Sequence, residues 1–235
     1  MAGRDARPTA PTPGGCERVF CWLMPLNDAQ IARYSRQIIV PRMGGRAQER
    51  LLGSRALLVA GYEDVAEPLA YLVGAGVGEV DLCVPDSDRD LKPLCDRMRD
   101  LNSDSTVTYG STAQVPDLAL ILVGNSVVLE FTAAESSRLG AAVMGRLDAP
   151  VKIAILPSPP PCVACADADL LTRFATRSEH AGFAAMLATA EALKLLAGYE
   201  PPASASLIEF HGYETRTKAL KRPDKSPQCT CLRKK

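Results

Sequence analysis

An alternation of strand-length apolar runs with longer segments of helical pattern constrains the fold of this chain more than any other feature. Four such runs predict buried strands: Ala56–Val59, Glu79–Val84, Leu118–Val123 and Val151–Leu156. A helical pattern over Val65–Val73 separates the first two runs. Because a strand, a helix and a second strand in succession pair as parallel neighbours, this order predicts an open α/β sheet with both faces covered.

The remaining segments continue that alternation and then change its character toward the C-terminus. The other predicted helices are one that carries Arg33–Gln37 behind a cap at Asn27, then Gln48–Leu52, Asp88–Leu101, Ala133–Gly145 and Gly182–Leu196, the last stopped by Gly198. The other predicted strands are Thr106–Tyr109 and a hairpin pair, Ser204–Phe210 and Glu214–Lys221. We therefore expect the fold to end in a long helix and an antiparallel hairpin.

Composition excludes several classes of function. The chain has 235 residues, 47% of them hydrophobic, which is enough to bury a sizeable core. Its 27 basic and 27 acidic residues give no overall field that would favour nucleic acid or an anionic membrane. No apolar run approaches the ~20 residues of a membrane helix. Two histidines, His180 and His211, have no serine or cysteine nearby in a nucleophile pattern and predict surface or capping positions.

Residues 1–24 predict a flexible tail, and residues 25–235 predict the folded domain. Met1–Gly15 is rich in Pro, Gly, Arg and Thr, a composition that buries too little apolar surface to fold alone. Val19–Met24 is apolar but too short for the core of a secretory signal, so we expect a cytoplasmic protein. Met24 directly precedes the ordered region and is a candidate for the true start.

The loop after the first strand has an unusual composition for a phosphate site. Its sequence is Ala60-Gly61-Tyr62-Glu63-Asp64-Val65, with one glycine where a phosphate cradle uses several to bring backbone N–H groups close to the anion. Glu63, Asp64 and Glu67 crowd the next helix start, and Asp64 with Glu67 has capping-box spacing. At an effective dielectric constant near 20 and about 5 Å, each carboxylate–phosphate pair costs about 3 kcal/mol. The loop therefore predicts a degenerate nucleotide site.

Four motifs along the chain carry a family resemblance: Arg33-Tyr34-Ser35-Arg36-Gln37-Ile38-Ile39, Gln48–Leu52, Leu72–Gly78 and Thr189–Gly198. In this order they resemble the MoeB/ThiF/HesA family, bacterial relatives of the ubiquitin-activating enzymes. The resemblance covers about residues 26–231 and implies a Rossmann-like open sheet of the ThiF/MoeB type with a C-terminal crossover, helix and antiparallel hairpin. It also implies adenylation of the C-terminal glycine of a small ubiquitin-like sulfur carrier, with ATP and magnesium.

The chain departs from the family pattern at the positions that this chemistry uses. The family's glycine-rich loop falls on Ala60–Val65, its ribose-binding aspartate falls on Val84, and its metal-anchoring aspartate falls on Gly124, which leaves Asn125 of an Asp-Asn pair. The crossover segment 166–182 has no cysteine, although many relatives carry a thiol there. Together these departures predict coordinated losses in the ATP site, so ATP and Mg²⁺ are doubtful cofactors.

Arg36 is the family element that this chain keeps. The resemblance implies that this arginine reaches across a dimer interface and contacts the partner's ATP, and an arginine supplied in trans stabilises phosphoryl charge. The alternative is that Arg36 pairs with a local carboxylate and holds the N-terminal helix in place.

Paired cysteines predict a structural metal. The resemblance implies a zinc ion held by two cysteine pairs, here Cys162 with Cys165 and Cys229 with Cys231, which form a clip over residues 162–231. The first pair has the usual two-residue spacing of a zinc knuckle, and the second is one residue shorter. The alternative is a vestigial pair of free thiols.

Together these observations predict a ThiF/MoeB-like protein with a degraded adenylation site, acting as a non-catalytic partner. It would bind a ubiquitin-like sulfur carrier or a peptide, or form a heterodimer with an active family member and supply Arg36 in trans. The alternative is an active ATP-dependent adenylyltransferase with a remodelled nucleotide site. A third possibility is a structural homodimer without nucleotide or carrier.

Overall fold

The computed structural model describes residues 25–85, 88–110, 115–124, 141–157, 178–199, 204–211 and 214–220. Its helices are α1 (Asp28–Ile38), α2 (Gly44–Leu52), α3 (Ala66–Ala75), α4 (Lys92–Leu101) and α5 (Ala181–Ala197). Its strands are β1 (Arg55–Val59), β2 (Glu79–Cys83), β3 (Thr106–Tyr109), β4 (Leu118–Val123), β5 (Ala141–Arg146), β6 (Val151–Leu156), β7 (Ser206–His211) and β8 (Glu214–Ala219). No described helix is long and apolar enough to cross a membrane.

All eight strands form one sheet in the order β3-β2-β1-β4-β5-β6-β7-β8. The strands from β3 to β5 run parallel, and β6, β7 and β8 are antiparallel to their neighbours. The predicted α/β fold with a C-terminal antiparallel hairpin is confirmed. Because β1 lies between β2 and β4, the strand order reverses there, and the carboxyl ends of β1 and β4 border a topological switch point.

Alternating side chains along the strands divide the core into two layers. Leu58 and Leu120 belong to the larger layer, which packs against helices α2 to α5. Leu57, Val59 and Ile121 point to the opposite face and form the second layer. The switch point therefore rests on strands that are buried on both faces, which predicts a rigid base for any site at their ends.

Tyr34 fastens α1 to the rest of the fold. Its side chain is 1% exposed, and its hydroxyl donates to Asp104 Oδ2 at 3.0 Å. Asn102 Nδ2 donates to Tyr34 Oη at 2.9 Å and to the Val73 carbonyl at 2.7 Å. Burial raises the pKa of Tyr34 to about 12. Gly76 has a φ of 87°, and a Cβ there would lie 2.8 Å from the Tyr34 ring. The motif that contains Tyr34 therefore packs directly against the glycine-containing motif Leu72–Gly78.

One element differs from its prediction. Ala133–Gly145 was predicted as a helix, but Ala141–Arg146 is the strand β5; residues 133–140 lie outside the described residues. Alanine favours a helix when propensity alone decides. Here tertiary packing decides, because β5 pairs with β4 over six residues and lies beneath α5, where Gly145 and Ala188 allow close approach.

Candidate functional site

The loop Ala60–Val65 leaves the carboxyl end of β1 at the switch point. Ala60 is fully buried, and its N–H donates to the Cys83 carbonyl at 3.2 Å, which ties the loop to the end of β2. Asp64 N–H donates to the Gly61 carbonyl at 3.0 Å and closes a tight turn. The turn aims the Asp64 side chain back toward the sheet.

Asp64 lies between the loop and the end of β4. A Cβ at Gly61 would lie 3.9 Å from Asp64 Oδ2, and a Cβ at Gly124 would lie 3.6 Å from the same oxygen. Leu147, which follows β5, bounds this space, because its Cδ1 would lie 3.2 Å from that Gly124 Cβ. We call the space among these four residues the β1–β4 crevice. Asp64 is 9% exposed, so a carboxylate is buried at the place where α/β sheets bind their ligands.

The predicted capping box of Asp64 and Glu67 is wrong. Helix α3 begins at Ala66 with Val65 at the N-cap, and no side chain makes a capping hydrogen bond there. The turn from Gly61 to Asp64 is the physical reason, because it places Asp64 one residue before the cap. Glu63 and Glu67 are exposed, so Asp64 alone of the three predicted carboxylates lies inside the crevice.

Arg89 covers the outer side of the loop. Its guanidinium carbon lies 4.4 Å from the centroid of the Tyr62 ring, within the range of a cation–π contact. Composition alone did not predict this pair, since it joins residues 27 positions apart. It places a positive charge at the mouth of an otherwise acidic loop.

The other two predicted nucleotide positions lie near the same sheet edge. Val84 follows β2, is partly buried and packs against the main core. Gly124 follows β4 and borders the crevice, while Asn125 lies outside the described residues. Neither Val84 nor Gly124 brings a polar side chain to this edge.

Sequence reasoning missed a partly buried ion pair at the end of β5. Arg146 Nε and Nη2 donate to the two carboxylate oxygens of Asp148 at 3.0 and 2.5 Å. Arg146 is 8% exposed, and its register partner on β4 is Val123, so it lies at the same sheet edge as the crevice. The spacing Arg146-Leu147-Asp148 at the end of an apolar run was the available indication.

A groove of about 480 Å³ opens farther along this edge. It is lined by Ala149, Pro150, Val151, His180, Phe183, Phe210 and His211, and we call it the β5–α5 groove. Because β6 and β7 are antiparallel, the start of β6 and the end of β7 meet at the edge where β5 ends. Phe183 and Phe210 form an edge-to-face pair with centroids 5.5 Å apart, yet Phe183 stays 55% exposed. The lining is apolar, with two imidazoles as its titratable groups.

Arg36 lies exposed on α1, next to Ile39, which is 77% exposed. Within the described residues Arg36 makes no hydrogen bond or ion pair, so the predicted alternative of a local carboxylate partner is not observed there. Its neighbour Arg33 makes the local contact instead, with Nε 3.4 Å from Asp104 Oδ2.

The predicted zinc ligands Cys162, Cys165, Cys229 and Cys231 all lie outside the described residues. The described part of the chain contains no group of three or more His, Cys, Asp or Glu side chains that could hold a metal ion. The zinc clip therefore stays a prediction.

The chain is similar in sequence to several known proteins. No family model matches the chain. Protein HesA, vegetative, from Trichormus variabilis is 28% identical over 223 residues, a match that covers 79% of this chain and 83% of HesA. Adenylyltransferase and sulfurtransferase uba4 from Pyricularia oryzae is 33% identical over 94 residues, 37% of this chain. The chain spans 19% of that relative's length.

Solved structures of E. coli MccB share the fold. The complex of MccB with ATP superimposes with a TM-score of 0.63 at 14% identity and covers 87% of this chain and 75% of MccB. Another structure contains MccB, a microcin C7 biosynthetic enzyme, in complex with N-formylated MccA. At this identity the likeness extends to the fold alone.

Proposed function

Because the chain belongs to the MoeB/ThiF/HesA family, we propose that it is a non-adenylating partner in the activation of a ubiquitin-like sulfur carrier or a peptide. It binds the carrier system or an active family member and leaves the nucleotide chemistry to that member.

The observation that carries this proposal is the buried Asp64 carboxylate in the β1–β4 crevice. A phosphate there would meet the Asp64 carboxylate, and at an effective dielectric constant near 20 and about 5 Å such a pair costs about 3 kcal/mol. That cost is comparable to what a good phosphate cradle contributes.

The residues around the crevice are also a poor match for ATP and magnesium. Val84 and Gly124 supply no carboxylate for a ribose or a metal ion, and oxygen ligands are what Mg²⁺ requires. These two positions therefore do not support a nucleotide-dependent reaction in this chain.

The outer face of α1 suits the partner role. Arg36 is exposed beside Ile39, which is 77% exposed. Exposed apolar side chains around a cation are typical of a docking surface. We propose that an active family member covers this face and receives Arg36 near its bound nucleotide, where the guanidinium stabilises developing negative charge.

The β5–α5 groove is the surface that we propose for an extended segment of the carrier or peptide. Its apolar lining and its exposed Phe183 resemble the aromatic anchors that dominate peptide interfaces. The groove also lies at the sheet edge that holds the crevice.

Affinity purification of the full chain from its native cell, followed by mass spectrometry, tests this role. We expect recovery of a complete MoeB/ThiF-like protein. Recovery of only a small carrier ending in Gly-Gly, with exchange of pyrophosphate into ATP by the chain itself, would contradict it.

A matched pair of variants tests the arginine. In the recovered complex, Arg36→Ala should lower carrier-dependent exchange of pyrophosphate at least tenfold, because arginines supplied in trans contribute strongly to phosphoryl and adenylyl transfer. Arg46→Ala, which removes another exposed arginine from the neighbouring helix α2, is the control and should leave the rate unchanged. An unchanged rate with Arg36→Ala removes the trans arginine from the account.

One observation favours the alternative of an active adenylyltransferase. Arg89 and Arg146 both bring guanidinium groups to the sheet edge of the crevice, and a remodelled site could use them for phosphate. This alternative predicts that the purified chain, without a second family member, exchanges pyrophosphate when its carrier is added.

A further inference from the structure

We propose that the edge strand β8 docks a second copy of this chain, in an antiparallel pairing that joins the two sheets across a twofold axis at Arg216. This inference goes beyond the proposed function, which assigns the outer face of α1 to a different protein. The two surfaces are separate, because α1 is tied through Tyr34 to Asp104, just before β3, and β3 and β8 are the opposite ends of the sheet.

The outer side of β8 is accessible to another chain. Among the described strands β8 pairs with β7 alone, and all six residues of β8 are exposed. The side chains of Glu214, Arg216 and Lys218 are 60–68% exposed. An exposed edge strand of this kind presents a row of backbone donors and acceptors to other strands.

The register with β7 determines which backbone groups point outward. Leu220 N–H donates to the Ala205 carbonyl at 2.9 Å, so these two residues form a hydrogen-bonded pair just beyond the ladder. Hydrogen-bonded and non-hydrogen-bonded pairs alternate along an antiparallel ladder, so the even-numbered residues of β8 bond to β7. The N–H and carbonyl groups of Thr215 and Thr217 therefore point away from β7.

These outward groups match when Arg216 lies opposite its counterpart in the second copy. Thr215 then lies opposite Thr217 of the other chain on both sides of the axis. Each of these two pairs exchanges two backbone hydrogen bonds, and Thr–Thr pairs across strands are favourable. Centring the pairing on Thr215 instead would move the overlap toward the hairpin turn and shorten it.

The charges of β8 favour the same register. Glu214 lies opposite Lys218 of the second copy twice, and opposite charges in such pairs are stabilising. Lys218 already donates to Glu209 and has further N–H groups for this contact. The two Arg216 side chains meet at the axis, but each is held by its own Glu214, with Nη2 2.9 Å from Oε2. Centring on Thr217 would instead oppose Arg216 and Lys218, which repel.

Thr217→Pro tests the backbone pairing. It removes an outward N–H and spares the bonds to β7, and proline is tolerated where the N–H of an edge strand faces solvent. By sedimentation equilibrium we expect the full wild-type chain to dimerise with a dissociation constant of about 10–100 µM, as suits a small interface. Thr217→Pro should weaken the dimer at least about tenfold with an unchanged melting temperature. Thr217→Val keeps the N–H and is the control that should dimerise like the wild type.

Arg216→Cys tests the register. Opposite residues of a non-hydrogen-bonded pair have Cα atoms about 4.5 Å apart, within the range of a disulfide. We expect mild oxidation to link two copies through this position, and mass spectrometry of the linked peptide to identify it. Glu214→Cys is the control and should form no such link, because its counterpart lies four residues farther along the strand, about 13 Å away.

Three outcomes overturn the inference. A wild-type chain that stays monomeric at about 0.5 mM has no such contact. A dimer that folded Thr217→Pro leaves intact uses another surface. Failure of Arg216→Cys to link, or linkage through Glu214→Cys, refutes the register. The proposed function is decided separately, because recovery of a MoeB/ThiF-like protein does not depend on β8.

Discussion

At the scale of single residues, the positions that matter most are buried polar groups whose surroundings sequence reasoning could not supply. The Tyr34 of the N-terminal motif could be placed on a helix from the sequence, but its partners Asn102 and Asp104 come from a segment about 70 residues away. Asp64 was correctly identified as part of an acidic loop. The orientation of its side chain was not predicted. Local spacing favours a capping box, but Asp64 instead closes a turn on Gly61, and that turn is set by the tertiary fold.

Tyr34→Phe tests the hydroxyl network. Near neutral pH we expect a loss of about 1 kcal/mol in the free energy of unfolding, since the variant removes one donor while Asn102 keeps its bond to the Val73 carbonyl. Because the pKa of Tyr34 is raised in the folded state, from 10.0 to about 12, its contribution is complete below pH 10 and is lost as the pH rises toward 12.

Urea denaturation of both proteins at pH 8 and pH 11 measures this effect. The stability difference between wild type and Tyr34→Phe should narrow or reverse at pH 11, while groups common to both proteins cancel. A difference that stays constant over this range would show that the phenol does not titrate as the network requires.

At the scale of elements, the sequence predicted most of the fold because several elements carry their own boundaries. The apolar run of β4 and the Gly198 stop of α5, which adopts a φ of 69°, gave clear limits. β5 was missed because its alanines resemble a helix, and only its place between β4 and β6 makes it a strand. The residues of β5 are small because α5 packs closely over this strand.

Gly145→Ala tests that close packing. A Cβ at this position would lie 2.9 Å from Ala188 Cβ and 3.3 Å from Leu122 Cδ2, so we expect a loss of about 1–3 kcal/mol from overpacking. Gly74→Ala is the matched control, because it adds the same methyl group in helix α3, where no atom beyond the helix's own backbone and the adjacent residues lies within 4 Å. The control should be neutral or raise stability by about 0.5–1 kcal/mol. Equal melting temperatures for the two variants would contradict the packing described for β5 and α5.

At the scale of the whole molecule, the two halves of the sheet carry the two surfaces to which we assign functions. The parallel half of the sheet holds the crevice with Asp64, and the antiparallel half holds the β5–α5 groove, while Arg36 lies on the outer face of α1. A fold of this kind is stable without ligand because its strands are buried on both faces. The proposed loss of nucleotide binding would therefore cost the fold little stability.

The predicted zinc clip would join two distant segments of the chain, residues 162–165 and 229–231. We expect elemental analysis of the purified full chain to give one zinc ion per chain, and Cys165→Ser to lose both the metal and several degrees of melting temperature. Cys83→Ser is the control and should keep the metal, because Cys83 is an exposed cysteine at the end of β2, outside the predicted zinc ligands. Absence of zinc from chain purified without chelator would favour the alternative of free thiols.

The most direct test of the central claim is a calorimetric titration of Mg²⁺-ATP into the purified wild-type chain. We expect no saturable binding up to about 1 mM ATP, which corresponds to a binding free energy weaker than about 4 kcal/mol. Saturable binding in the micromolar range would contradict it, because the crevice would then accept the triphosphate that Asp64 is proposed to exclude.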